Sequence, residues 1–173
     1  MTVLLETILG IGMALVMAKD FHGRGLLRAA VLVPWAIPTA ITAKLWAFLF
    51  SEQGIVNSIF HAHVAWQTDP WAARFSIILA DVWKTTPFMA LLILAGLQMI
   101  PKDLYEAARM DGANAWQRFT RITLPLAKNS IIVAVLFRML DALRMYDLPY
   151  IMVGPNPDSP TATLSQLVVA AIR

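Results

Sequence analysis

The 173-residue sequence contains no cysteine, and only 14% of its residues are charged. The absence of cysteine excludes disulfide bonds, thiolate catalysis and cysteine-ligated metal sites, although it does not identify a compartment. A formal net charge of +3 is too small to indicate binding to nucleic acid, so no nucleic-acid partner is expected. These absences exclude several large functional classes.

Motifs for nucleotide binding and catalysis are also missing from the sequence. It has no glycine-rich phosphate loop followed by lysine and serine or threonine, so we expect that the chain does not bind ATP itself. No nucleophile, base and orienting residue are grouped as an enzyme requires. His61 and His63 alternate without carboxylate or cysteine partners at ligand spacing, which argues against a metal site. We therefore predict a non-enzyme without metal or cofactor.

Apolar residues dominate what is present, at 58% of the chain, and mean hydropathy is +0.63. They form four segments, each close to the roughly 20 residues that cross a bilayer as a helix. The segments are 1–18, 29–50, 75–100 and 126–153. The sequence therefore predicts an all-α, polytopic transmembrane protein with one membrane domain over residues 1–173.

Basic residues are concentrated in two of the connecting loops. The loop at 19–28 carries three, and the loop at 101–125 with its flank carries Lys102, Arg109, Arg118, Arg121 and Lys128. The segment 51–74 has a single basic residue, and 154–163 has none. By the positive-inside rule, the first residue is expected outside and the loop 101–125 in the cytoplasm.

Neither end of the sequence has the features of a natural boundary. Segment 1–18 lacks the basic start and small-residue cleavage site of a signal peptide. Segment 164–172 is apolar but too short to cross a bilayer. We expect a piece of a larger membrane protein that lacks terminal spans; the alternative is an intact protein with four spans.

The loop 101–125 is polar and amphipathic. Asp103 is placed to cap a helix beginning near Leu104, and Gly112 is expected to interrupt that helix. Pro125 is suited to the first turn of the next helix. Amphipathicity alone would also fit a helix lying on the membrane surface.

The residue order in this loop resembles a known family. Glu106, Ala107 and Ala108 are followed by Gly112 and then by the run Ile122, Leu124 and Pro125. This order and spacing resemble the loop by which permease subunits of ABC importers engage their ATPase. The resemblance implies the fold of type I ABC-importer permeases, with ATPase coupling through Glu106, Ala107, Ala108, Asp111, Gly112 and Ala113.

Several ionisable residues lie inside the predicted spans. Each costs about 2.5 to 3.5 kcal/mol at the centre of a membrane helix, so they should face a partner or a cavity. Four of them recur at three-residue intervals with alternating sign: Arg138, Asp141, Arg144 and Asp147. Either these charges pair and fasten helices together, or they line a transport route.

Residues 81–113 and the later sequence YDLPYIMVGP are similar to permeases of carbohydrate importers, such as those for maltose and trehalose. In that family, the helices before and after the coupling loop hold the sugar. The resemblance implies a substrate pathway formed by Lys84, Thr85, Phe88, Arg138, Asp141 and Met145. Pro87, inside its helix, is expected to bend it.

The resemblance implies a multi-pass permease of the bacterial inner membrane that translocates a di- or oligosaccharide. The implied partners are a cytoplasmic ABC ATPase dimer, a second permease subunit, an extracytoplasmic sugar-binding protein and membrane lipid. The turn-rich segment 153–164 is expected to face outward toward the binding protein. Alternatives are a permease for another small polar solute (a polyamine, an amino acid or phosphate) and an inactive truncated remnant or assembly factor.

Overall fold

A computed structural model describes residues 1–61, 63–154 and 161–172. The described residues form α-helices joined by turns, with one π-helical segment and no strand, which confirms the all-α prediction. Half of the predicted outer segment 153–164, residues 155–160, lies outside the described residues. The helices are α1 (Thr2–Ala18), α2 (Arg24–Ala36), α3 (Thr39–Leu49), α4 (Ile55–Phe60), α5 (Pro70–Gln98), α6 (Lys102–Met110), α7 (Ala115–Arg118), the π segment (Phe119–Thr123), α8 (Leu124–Leu143), α9 (Asp147–Val153) and α10 (Leu164–Ile172).

Two helices in the described part of the chain are long and apolar enough to cross a membrane. One is α5, with 29 residues; the other is the continuous helix Ala115–Leu143, also with 29 residues, formed by α7, the π segment and α8. Helix α1 is apolar but has only 17 residues. The predicted segment 75–100 therefore corresponds to most of α5, and the predicted segment 1–18 corresponds to α1, although α1 is shorter than a membrane-length helix. The other two predicted segments, 29–50 and 126–153, differ in extent from the helices observed.

The predicted segment 29–50 is divided into two helices, α2 and α3, which meet at an angle of 87°. The break falls at Ile37 and Pro38. Proline has no N–H to donate to the carbonyl four residues earlier, and it disfavours helical geometry in the residue before it. Pro38 thus ends α2 and begins α3.

The predicted segment 126–153 is also divided, because α8 ends at Leu143 and α9 begins at Asp147. Pro149, in the first turn of α9, cannot donate to the carbonyl of Met145, so a continuous helix is disfavoured here. That carbonyl instead accepts a hydrogen bond of 2.7 Å from the hydroxyl of Thr163. The hydroxyl of Ser165 donates to the carbonyl of Leu143 at 3.1 Å. Hydroxyl groups at the start of α10 and just before it therefore donate to backbone carbonyls at the end of α8 and just after it.

The chain forms two compact units. The first comprises residues 1–2, 33–85 and 139–173, and its core contains Phe50, Ile77, Leu148 and Met152 from α3, α5 and α9. Four aromatic side chains in this unit contact one another in sequence, with adjacent ring centres 5.1 to 6.2 Å apart: Trp46, Phe50, Trp66 and Phe75.

The second unit comprises residues 3–32 and 86–138. Its core joins α1 to α5 and α8 through Ala14, Met17, Ile93 and Ala134. The helices α1 and α5 approach closely at Gly10, where an added Cβ atom would lie 3.1 Å from the Cβ of Met89. Small residues permit such close packing between membrane helices.

Candidate functional site

Helix α6 opens the loop between the two membrane-length helices. It begins at Lys102, after Pro101, and no side chain caps its first turn. The prediction that Asp103 caps this helix was wrong, because the extended Pro101 occupies the N-cap position and Asp103 lies within the first turn. Its carboxylate is still favourable there, since the amino-terminal end of a helix carries partial positive charge.

A glycine turn ends α6. The N–H of Gly112 donates to the carbonyl of Arg109 at 3.0 Å, and the N–H of Ala113 donates to the carbonyl of Ala108 at 2.9 Å. This pair of bonds defines a Schellman motif, which needs a left-handed residue at its centre. Gly112 has φ +76°, as the predicted interruption of the helix requires.

A capping box restarts the chain as α7. The side chain of Asn114 accepts from the N–H of Gln117 at 2.9 Å, and the side chain of Gln117 accepts from the N–H of Asn114 at 2.8 Å. The guanidinium of Arg118 also donates to the carbonyl of Ala113 at 2.5 Å. The loop is therefore a helix–glycine turn–helix unit held by its own hydrogen bonds. The Asn114–Gln117 spacing is a capping signal in the sequence that the sequence analysis missed.

The loop presents an exposed face of mixed character. Of the predicted coupling residues, Glu106, Ala107, Asp111 and Gly112 are exposed, and Ala108 and Ala113 are half-buried. Two large apolar side chains lie on the same loop: Met110 is 89% exposed and Trp116 is 70% exposed. Exposed apolar side chains rimmed by charge are typical of a surface that binds another protein.

A π-helical turn connects the loop to α8. The N–H of Leu124 donates to the carbonyl of Phe119, five residues earlier instead of four. The next residue, Pro125, has no N–H and its ring would crowd the carbonyl of Arg121 in a regular α-helix. Pro125 lies in the first turn of α8 as predicted, but α8 continues directly from α7 through the π segment.

Ion pairs join the loop to residues that follow α1. The ammonium of Lys102 lies 3.1 Å from a carboxylate oxygen of Asp20, which also pairs with Arg24. The hydrogen bond from Lys102, followed by the charges of Lys102 and Arg24, lowers the pKa of Asp20. The stabilisation is thus present above the ordinary aspartate pKa and is lost as pH falls through the lowered value. Because all three side chains are exposed, water screens the pair and its contribution is small.

A polar cavity of about 180 Å³ lies in the first unit. Four of the six residues predicted for the substrate pathway line it: Lys84, Thr85, Asp141 and Met145. Within the described residues, Phe88 and Arg138 do not line this cavity. The remaining lining residues are Thr39, Asp81, Arg144, Tyr146, Asp147 and Leu148.

Lys84, which lines the cavity, forms hydrogen bonds at the break between α2 and α3. Its ammonium donates to the carbonyl of Ile37 at 2.5 Å and lies 3.5 Å from the carbonyl of Trp35. These carbonyls lie at the carboxyl-terminal end of α2 and just beyond it, where the partial negative charge of a helix end attracts a cation. Lys84 therefore stabilises the break between α2 and α3.

Replacing Lys84 with methionine is expected to destabilise the protein by about 1 to 3 kcal/mol, because the carbonyls at the break lose their charged donor. Thermal unfolding of the detergent-solubilised protein measures the effect. Lys44→Met is the matched control, since Lys44 is an exposed lysine on α3. Equal melting temperatures for the two variants would contradict this role for Lys84.

Arg138 is 1% exposed and forms a buried ion pair with Glu6, which is fully buried. Its Nε donates to Oε2 of Glu6 at 2.6 Å, and its Nη2 donates to Oε1 at 3.0 Å. This geometry favours the paired-charge interpretation for Arg138. Sequence analysis missed Glu6, although it is the only ionisable residue in α1. Along the alternating stripe, Arg144 lies 3.9 Å from Asp141 and both are exposed.

The described part of the chain thus places an exposed, internally capped loop between two membrane-length helices, as expected for a subunit of a membrane transport system. Residues 6–172 match the family described as the binding-protein-dependent transport system inner membrane component, and the chain belongs to this family. The resemblance found in the coupling loop is thereby confirmed.

Three similar proteins are named as permeases for a sugar or a sugar derivative. Over 171 residues the chain is 50% identical to the trehalose/maltose transport system permease protein MalF of Thermococcus litoralis, covering 96% of this chain and 58% of the relative. It is 42% identical to the sulfoquinovosyl glycerol transport system permease protein SmoG of Agrobacterium fabrum, covering 92% and 54%. It is 40% identical to the trehalose transport system permease protein SugA of Mycobacterium tuberculosis, covering 94% and 53%. The chain thus spans a little more than half the length of these relatives.

Two solved structures have the same fold. A bacterial ABC transporter involved in import of the acidic polysaccharide alginate matches 99% of this chain and 70% of its own, with TM-score 0.71 and 25% identity. A bacterial alginate ABC transporter in complex with an alginate pentasaccharide-bound periplasmic protein matches 99% and 69%, with TM-score 0.74 and 25% identity. The predicted type I ABC-importer permease fold is confirmed.

Proposed function

We propose that this chain belongs to the permease subunit of an ATP-driven importer in the bacterial inner membrane, which translocates a di- or oligosaccharide delivered by an extracytoplasmic binding protein. The observation that carries the proposal is the loop between the two membrane-length helices. It is exposed, its helix ends at a left-handed Gly112, and a capping box restarts the chain. The names of the relatives support sugar as the cargo.

The loop supplies the surface for an ATPase subunit. Met110 and Trp116 provide exposed apolar contacts, and Glu106 and Asp111 provide charge beside them. Hot spots of protein interfaces commonly combine aromatic anchors with a polar rim. The Schellman turn and the capping box keep this face in one conformation. Movement of the ATPase would therefore displace the loop as a unit, together with the helix that follows it, instead of deforming the loop. ATP hydrolysis then belongs to the paired ATPases.

The cavity supplies a polar surface for the sugar. Thr39 and Tyr146 contribute hydroxyl groups that can both donate and accept. Asp141 and Asp147 contribute acceptors, as does Thr85, whose hydroxyl donates to the carbonyl of Asp81 at 2.7 Å. Sugar hydroxyls need both kinds of partner. A second permease subunit and membrane lipid complete the walls of the pathway. The binding protein docks on the outer side, and the alginate transporter solved in complex with its periplasmic protein supports this.

Crosslinking tests the coupling role. Because the sequence has no cysteine, Ala107→Cys places a single thiol on the exposed face of α6. We expect this thiol to crosslink to a cysteine on the cognate ATPase in membranes, with a yield that changes when ATP is added. Thr68→Cys is the control, because Thr68 is exposed in the loop that is predicted to face outward. A membrane-impermeant maleimide added outside should label this cysteine, and the cysteine should not crosslink to the ATPase.

The two cysteines together separate the possible outcomes. Absence of a crosslink from Ala107→Cys, in membranes where Thr68→Cys is labelled from outside, would contradict the coupling role and favour an inactive remnant.

Cargo is tested by competition: unlabelled trehalose or maltose should suppress uptake of labelled sugar. Suppression by a polyamine, an amino acid or phosphate would identify a different solute.

A further inference from the structure

We infer that the hydroxyl pair of Tyr105 and Thr123 transmits movement of the coupling helix α6 to the π segment and so to α8. The inference rests on the proposed function, since it assigns positioning residues within the same coupling mechanism. The two hydroxyl oxygens lie 2.9 Å apart and join residues 18 positions apart in the sequence. One belongs to α6 and the other ends the π segment.

Burial distinguishes this contact from the ion pair that joins α6 to Asp20. Thr123 is 6% exposed and Tyr105 is half-buried, so competing water is largely removed from the hydroxyl pair. The ammonium of Lys102, by contrast, is joined to Asp20 through side chains that are 82% and 63% exposed. An exposed ion pair is screened and yields easily. The hydroxyl pair is therefore the better placed to hold α6 against the start of the membrane helix.

Thr123 lies at the end of the π segment, where a contact can affect the geometry of the helix. Besides Tyr105, its hydroxyl lies 3.4 Å from the carbonyl of Arg118, five residues earlier, across the π turn. A π turn contains an extra residue compared with an α turn, and such turns occur frequently at functional sites. Pro125 follows two residues later and lacks the N–H that would help a regular α-helix form here. A displacement of Thr123 would therefore act on the π-helical part of the continuous helix Ala115–Leu143, where the hydrogen bonding departs from α-helical geometry.

Conservative variants isolate the two hydroxyl groups. Tyr105→Phe keeps the ring, and Thr123→Val keeps the branched shape, so each removes only the hydroxyl. In proteoliposomes containing the whole importer, sugar uptake and ATP hydrolysis are measured together. We expect each variant to lower the number of sugars moved per ATP by about tenfold while ATP hydrolysis continues. The double variant should lose no more than Thr123→Val alone, since that variant already lacks the contact that Tyr105→Phe removes.

Two controls test whether the contact itself matters. Thr123→Ser keeps a hydroxyl and is expected to retain transport. Thr120→Val removes a neighbouring hydroxyl that donates to the carbonyl of Trp116 at 2.9 Å and is not paired with α6 in this way; it should also retain transport. Crosslinking through Ala107→Cys, added to each variant, shows that the loop still reaches the ATPase.

Unchanged sugar per ATP in Tyr105→Phe or Thr123→Val would overturn the inference while leaving the proposed function intact. A double variant with multiplied losses would also overturn it, because the two hydroxyls would then act separately. If the unaltered importer shows no ATP-dependent uptake of sugar, the proposed function fails and the inference fails with it.

Discussion

Arg138→Leu is expected to destabilise the folded protein by about 3 to 5 kcal/mol, the usual effect of removing one partner of a buried ion pair. Glu6 would remain fully buried beside α8 without the guanidinium that donates two hydrogen bonds to it. The amount of folded protein recovered from membranes and its melting temperature in detergent would both fall sharply. Glu6→Leu should have a similar effect, because it leaves the arginine buried instead.

The double variant Glu6→Leu with Arg138→Met provides the decisive comparison. Replacing both charges by apolar residues of similar size is often close to neutral, so this variant is expected to be more stable than either single variant. Arg144→Leu is the matched control, since Arg144 lies on the turn after α8 and its side chain is 83% exposed. If Arg138→Leu melts at the same temperature as Arg144→Leu, the ion pair does not hold α1 against α8.

Gly112→Pro is expected to abolish sugar uptake while leaving membrane insertion unchanged. Proline fixes φ near −65°, whereas Gly112 has φ +76°. The substitution also removes the N–H that donates to Arg109, so the turn at the end of α6 cannot form. The coupling face would then lose its shape, although the membrane helices on either side would remain. Uptake and the amount of protein in the membrane are measured on the same samples.

A graded series at the same position tests the cause. Apart from the two chain neighbours of Gly112, no atom of the described residues lies within 4 Å of a Cβ added there, so within this chain a side chain acts through backbone conformation. Left-handed geometry costs a residue with a side chain roughly 1 to 2 kcal/mol, and asparagine tolerates it best. Uptake should therefore decrease from Gly112→Asn to Gly112→Ala to Gly112→Val. Gly12→Ala, at an open helical position in α1, should be neutral, and equal uptake across the series would contradict the model.

Local features of this chain were predictable from the sequence. Helical class follows from long apolar segments, and the end of α6 follows from a glycine after a run of helix formers. The family of the chain was predicted from the residue order of the loop 101–125, and this prediction is confirmed. These features depend on neighbours within a few positions along the chain, which the sequence displays directly.

The missed features depend on distant partners. The break at Pro38 is stabilised by Lys84, which is 47 positions away from the carbonyl of Ile37. The partner of Arg138 is Glu6, 132 positions away, although the sequence pattern suggested neighbours at three-residue spacing. The Met145 carbonyl at the end of α8 is satisfied by Thr163, 18 positions away. Periodicity cannot identify such pairs, because it describes only the faces of single elements.

The same separation in sequence has a consequence for the order in which the protein assembles. Hydrogen bonds of the glycine turn and the capping box join residues at most five positions apart, so they can form as soon as this part of the chain leaves the ribosome. The bond between Glu6 and Arg138 must wait until 132 further residues have been synthesised. The contact between α1 and α8 therefore forms only after most of this chain has been synthesised, much later than the contacts within the loop.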